Sequence, residues 1–171
     1  MKHQYLSLLL VLGLVATLAA CNSDDDLRST PDFVTELTLE DAGGGQTHSF
    51  EQGADALVVL HVRNRSNEDQ TLEFADSRVN DFLVLDSQGN AVRLWSGPYD
   101  FAQVITEITI AAGETERFEM DWNGLRDDQG ETLPPGRYEI QGWLPTEGED
   151  GIDDLEPSPL RSTLVPFNIT E

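Results

Sequence analysis

The chain has 171 residues with eight prolines, 14 glycines, a single cysteine and a formal net charge of −22 at pH 7. Such an acidic surface disfavours nucleic acid and anionic lipid headgroups as partners, and one cysteine excludes an intramolecular disulfide, so stability must come from the hydrophobic core. The acids are spread along the whole sequence, which points to a salt-adapted surface: at about 1 M salt the Debye length falls to ~3 Å and self-repulsion is mostly screened.

Residues 1–20 are predicted to be a lipoprotein signal peptide. Lys2, the only lysine, sits in a short polar head and is followed by an apolar run over 6–18. That run is shorter than the ~20 residues a helix needs to cross a bilayer, which argues for export rather than a permanent span. Leu18-Ala19-Ala20-Cys21 resembles the lipobox of bacterial lipoproteins. The resemblance implies lipidation of the Cys21 thiol, cleavage before Cys21 and enough acyl chain to satisfy the roughly two signals that stable anchoring requires. The membrane is therefore an expected partner through the lipid on Cys21. Asn22 at the next position implies sorting to the outer membrane, facing the periplasm. Residues 21–32 are polar and acidic with almost nothing to bury, and are read as a tether.

From 33 to 171 the apolar pattern changes to short runs of period two separated by Gly, Pro, Asn and Asp. Strands are predicted in order at 33–39, 56–64, 70–75, 82–85, 91–95, 104–110, 116–122, 137–144 and 163–169. Val58, Leu60 and Val62 should share one face of their strand, as should Phe118, Met120 and Trp122. Gly43-Gly44-Gly45, Asp86-Ser87-Gln88-Gly89 and Pro134-Pro135-Gly136 supply turns. No 3.6-residue stripe occurs beyond the signal segment. The predicted fold is all-β, an immunoglobulin-like two-sheet antiparallel sandwich of about eight or nine strands.

Residues with catalytic or metal-binding chemistry are sparse. Beyond the signal segment there are two histidines, His48 and His61, and no second cysteine, so a zinc site would need carboxylates to complete it; His61 reads as a strand-face residue. No Gly-x-Ser-x-Gly is present, and a carboxylate-based hydrolase would require two acids to meet in a cleft. Five carboxylates crowd residues 147–154, yet their spacing fails the EF-hand pattern, and a solvated acidic loop is the simpler reading. Asn64-Arg65-Ser66 and Asn168-Ile169-Thr170 match the glycosylation acceptor, but a lipobox belongs to a bacterial cell, and Asn64 reads as the turn that ends its strand. No catalytic residue, metal or cofactor is expected.

The segment 91–101 is richer. Trp95, Tyr99 and Phe101 bracket the bend Gly97-Pro98, a combination that presents rigid aromatic anchors of the kind that dominate interface energies. Trp95, Pro98, Tyr99 and Phe101 are accordingly the candidate partner-binding residues; core packing of Trp95 and Phe101 is the alternative. The 133–136 turn and the acidic 145–160 loop are the next candidates.

The order of residues through the middle of the chain resembles the BsuPI family of intracellular proteinase inhibitor domains. The matching elements are Asn64-x-Ser66, Asp81-Phe82-x-Val84-x-Asp86-x-x-Gly89, Val92-Arg93-Leu94-Trp95-Ser96, Phe101-x-Gln103, Gly113-Glu114, a strand ending in Trp122, and Pro135-Gly136-x-Tyr138. The resemblance implies an immunoglobulin-like sandwich and a noncatalytic module that contacts or inhibits a protease, here in the cell envelope. The competing expectation is a structural or assembly lipoprotein that holds a partner without inhibiting it. The lipobox departs from the family's intracellular description.

Overall fold

In a strand, successive side chains point to opposite faces, so a period-two sequence commits one face to a core. The computed structural model describes residues 32–146 and 155–171. The expected signal segment, Cys21, the tether up to Pro31 and the acidic stretch 147–154 lie outside the described residues. The strands are, in chain order, β1 (Phe33–Glu40), β2 (Ser49–Glu51), β3 (Ala56–Asn64), β4 (Gln70–Phe74), β5 (Asp81–Asp86), β6 (Ala91–Leu94), β7 (Thr106–Ile110), β8 (Thr115–Trp122), β9 (Gly136–Trp143) and β10 (Val165–Thr170), with one 3-10 turn at Asn123–Leu125. No α-helix occurs among the described residues.

One sheet runs β1-β3-β8 and a second runs β2-β10-β9-β5-β6. They enclose a common core, giving the β-sandwich that the alternation predicted. Val58, Leu60 and Val62 of β3 and Phe118, Met120 and Trp122 of β8 bury against Phe82, Val84, Ile140 and Phe167 of the other sheet. Phe167 is the hub of the aromatic packing. Its ring centroid lies 5.6 Å from Tyr138, 5.9 Å from Trp122 and 6.3 Å from Phe50, within the range in which aromatic pairs add to area burial. Gly142 of β9 packs directly against the facing sheet; a Cβ there would meet Leu37 Cδ1 at 2.7 Å and Leu60 Cδ1 at 3.0 Å.

Three features differ from the sequence-based expectation. β2 is a strand of three residues, too short to show a period, and it pairs parallel with β10 (Asn168 opposite Ser49), so the pairing is not wholly antiparallel. β4 and β7 form a separate two-stranded ladder that prolongs the β3–β8 pairing beyond a break at 65–69 and 111–114. Asn64 fixes that break: its side-chain amide donates to the carbonyls of Glu68 (2.7 Å) and Ile110 (2.9 Å) and its oxygen accepts the Ser66 N–H (2.9 Å). Finally, β7 begins at Thr106, leaving Val104 and Ile105 outside any strand.

Outer faces are covered in two places. The Arg117 guanidinium of β8 reaches Glu40 of β1 at 3.0 Å and so crosses the middle strand β3 diagonally, above Val59, which is buried although it points away from the core. Leu83 and Leu85 of β5 pack with Trp143 under Leu155 and Leu164, which explains why β5 is apolar on both faces. The Ser162 backbone and hydroxyl fasten that covering segment to Gly142 at 2.9 and 3.1 Å.

Candidate functional site: a loop clamped at both ends

The loop that follows β6 is held from below by a buried carboxylate. Asp81 opens β5, fully removed from solvent, and accepts the Ser96 hydroxyl at 2.5 Å, the Ser96 N–H at 3.1 Å and the Phe82 N–H at 2.9 Å. The Arg78 guanidinium adds a contact at 3.2 Å. Burial pushes the Asp81 carboxyl above its ordinary range, against the pull of the Ser96 and Phe82 hydrogen bonds and the Arg78 charge. At the loop's far end Ser77 and Ala102 exchange two hydrogen bonds, the Ser77 N–H to the Ala102 carbonyl at 3.0 Å and the Ala102 N–H to the Ser77 hydroxyl at 2.9 Å. Between these clamps the Gly97 N–H bonds to the Leu94 carbonyl and the Tyr99 N–H to the Ser96 carbonyl, each at 3.0 Å.

The three aromatic residues singled out in the sequence come together in this loop. Trp95 and Tyr99 have centroids 5.2 Å apart, Trp95 and Phe101 6.1 Å, and Tyr99 and Phe101 6.5 Å; the Arg78 guanidinium carbon lies 6.0 Å from the Phe101 centroid. They divide by burial. Trp95 and Phe101 are half-buried, with Trp95 packed on the core, whereas Pro98 is exposed and Tyr99 is 52% exposed. The first pair supports the loop and the second forms its tip.

A second loop lies alongside. Asp128 accepts the Leu94 N–H at 3.1 Å, approaches Arg93 at 3.4 Å and donates its own N–H to the Val92 carbonyl at 3.1 Å, fastening the 127–131 turn to β6. The Trp122 indole N–H donates to the Arg126 carbonyl at 2.9 Å. Between the two loops runs a groove of about 340 Å³ whose lining includes Arg93, Pro98, Tyr99, Trp122, Arg126 and Asp128. Sequence reasoning missed Asp128, Ser77 and the clamping role of Asp81, because each depends on pairing between distant segments.

Past the second clamp, Val104 is 53% and Ile105 66% exposed. Among the described residues four large apolar side chains are exposed, and three of them, Tyr99, Val104 and Ile105, fall within seven residues of sequence, so the exposed apolar surface is concentrated on one segment. The other sequence candidates lie elsewhere. His61 is within 3.3 Å of the Thr38 hydroxyl and His48 within 3.1 Å of the Pro166 carbonyl. No group of three or more His, Cys, Asp or Glu side chains that could hold a metal occurs among the described residues. In the 133–136 turn the Pro134 carbonyl accepts the Tyr138 hydroxyl at 2.8 Å.

The sequence pattern of the BsuPI family, described as intracellular proteinase inhibitor, matches residues 45–149. The chain belongs to the BsuPI family. The match contains both clamps, the aromatic loop and the groove; β1 and β10 flank it. No curated protein matches the chain. Among solved structures, the C-terminal domain of wzt aligns at 13% identity and a TM-score of 0.48, over 82% of this chain and 80% of that one. The β-glucosidase EmGH1 from Erythrobacter marinus aligns at 15% identity and a TM-score of 0.44, and the Pseudomonas fluorescens alkylpurine DNA glycosylase AlkC at 12% and 0.45. This chain spans 15% and 31% of the length of those two enzymes.

Proposed function

We propose that this BsuPI domain is a noncatalytic binding module that engages a protease in the cell envelope, held at the outer membrane by lipid on Cys21. The observation that carries the reading is the loop clamped by Asp81 and Ser77 with Tyr99 exposed at its tip. A loop ordered before binding loses little conformational entropy on docking, and Tyr offers large contact area with few rotatable bonds. The family's description as a proteinase inhibitor supports the partner class, and the resemblance of residues 18–21 to a lipobox supports the location.

Two measurements test the proposal. Tyr99→Ala should weaken binding of the envelope protease by roughly thirtyfold, the scale of an interface anchor, with a melting temperature near that of the wild type, since exposed positions change stability by only about ±0.5 kcal/mol. A variant that binds as well as wild type moves the contact to another loop, and a domain that holds an envelope protein without slowing any protease favours the structural lipoprotein instead. For the anchor, metabolic labelling with a palmitate analogue should mark the wild-type chain and leave Cys21→Ser unlabelled; equal label on both removes lipidation from the reading.

A further inference from the structure

We infer that the segment inserted into the protease is 101–106, which carries the second clamp at Ala102, and that Ile105 fills the pocket that reads the side chain preceding the scissile bond. The target is then an endopeptidase that cleaves after β-branched aliphatic residues. This inference rests on the protease-binding reading and names the specificity of the enzyme it would bind.

Four observations converge on the segment. Phe101-Ala102-Gln103-Val104-Ile105-Thr106 carries no charged side chain in a chain of net charge −22, so it can enter an apolar cleft without burying an unpaired charge. Asp100 and Glu107 stand at its two ends, a distribution that complements a cleft with a basic rim. Ile105 is the most exposed large apolar residue among those described, and Val104 beside it is the next. The segment is also held at both ends, by Ser77 at Ala102 and by the pairing of Thr106 with Phe74 at the start of β7.

The backbone fits the same use. Residues 101–105 belong to no strand; the Val104 N–H turns back to the Ala102 carbonyl at 2.8 Å, a tight turn centred on Gln103, and the N–H groups of Gln103 and Ile105 on either side of it have no backbone partner among the described residues. Alternate unpaired N–H groups on a short fixed segment are what strand addition to another protein's sheet edge requires, with backbone bonds supplying affinity and one side chain supplying specificity. Tyr99, a few residues upstream on the clamped loop, would dock beside the cleft as a second anchor.

The test measures inhibition constants of the purified protein against three endopeptidases with chromogenic peptide substrates: an elastase-type enzyme that cleaves after valine and isoleucine, a trypsin-type enzyme and a chymotrypsin-type enzyme. Wild type should inhibit the elastase-type enzyme selectively, and Ile105→Ala should lose about thirtyfold of that inhibition. Ile105→Arg should lose it and gain inhibition of the trypsin-type enzyme, with an unchanged melting temperature in both variants. If either variant inhibits the elastase-type enzyme as wild type does, the 101–106 assignment is overturned while protease binding stands. Wild-type inhibition confined to the trypsin- or chymotrypsin-type enzyme overturns the aliphatic specificity. Failure to inhibit any of the three, together with failure of the envelope-protease binding measurement above, overturns both readings.

Discussion

Asp81 is the residue on which the candidate site depends, because one buried carboxylate accepts from the Ser96 N–H and hydroxyl, the Phe82 N–H and one amino group of Arg78 at once. Asp81→Ala would leave those donors buried without an acceptor. A loss of about 3 kcal/mol in denaturant unfolding is expected, together with weaker partner binding from a loop no longer held. The titration of Asp81 carries its own sign. Its folded pKa lies above the ordinary carboxylate value, so between the two values the native state holds more protons than the unfolded chain, and its contribution to stability falls as pH rises through that window. Asp86, five residues on, is shifted the opposite way, chiefly by the Asn90 hydrogen bonds, and its contribution is lost as pH falls through its folded pKa. Carboxyl-carbon NMR titration should therefore place the Asp81 midpoint above and the Asp86 midpoint below the ordinary aspartate value; the reverse order would refute the account.

Asp86 belongs to a turn that the chain uses three times. Asp41, Asp86 and Asp127 each accept the N–H groups two and four residues ahead, at 2.8 to 3.0 Å. Each also exchanges backbone hydrogen bonds across the same five residues, with Gly44, Gly89 and Gly130 in the left-handed region at the fourth position. A type I turn closed by a left-handed residue is a common hairpin connection, and the third copy is what carries Asp128 onto β6. Space is not the constraint at Gly89, where a Cβ would meet nothing within 4 Å; backbone conformation is. Gly89→Ala should cost about 1 kcal/mol in thermal or denaturant unfolding and Gly89→Asn less, since Asn tolerates positive φ. Equal cost for both would mean that some contact, not φ, sets the requirement.

For the whole molecule the dominant long-range term is the charge of −22. If self-repulsion opposes the compact state, the melting temperature should climb from low salt to about 1 M and then level off as the Debye length drops below the charge spacing. Sodium and potassium chloride should act alike. A gain at micromolar calcium that sodium does not reproduce would instead mark ion binding at 147–154. Against that repulsion stands a core in which the sheets meet closely at Gly142 and three aromatic rings, Phe50, Trp122 and Tyr138, pack around Phe167.

The sequence by itself determined the all-β class, the inward faces of β3 and β8, and the family, because a period of two and the order of turn residues are local properties of the chain. It also picked out Trp95, Tyr99 and Phe101, since aromatic residues around a Gly-Pro bend are visible without any long-range contact. Only the tertiary structure decided which of them are exposed. Trp95 packs on the core while Tyr99 does not, and the Asp81–Ser96 clamp that stands between them in the loop joins residues 15 apart in sequence. The same holds for Val104 and Ile105. Their β-branched side chains read as the start of a strand, but the Phe74–Thr106 pairing ends the ladder first and leaves both in solvent, because a strand extends only as far as its partner does.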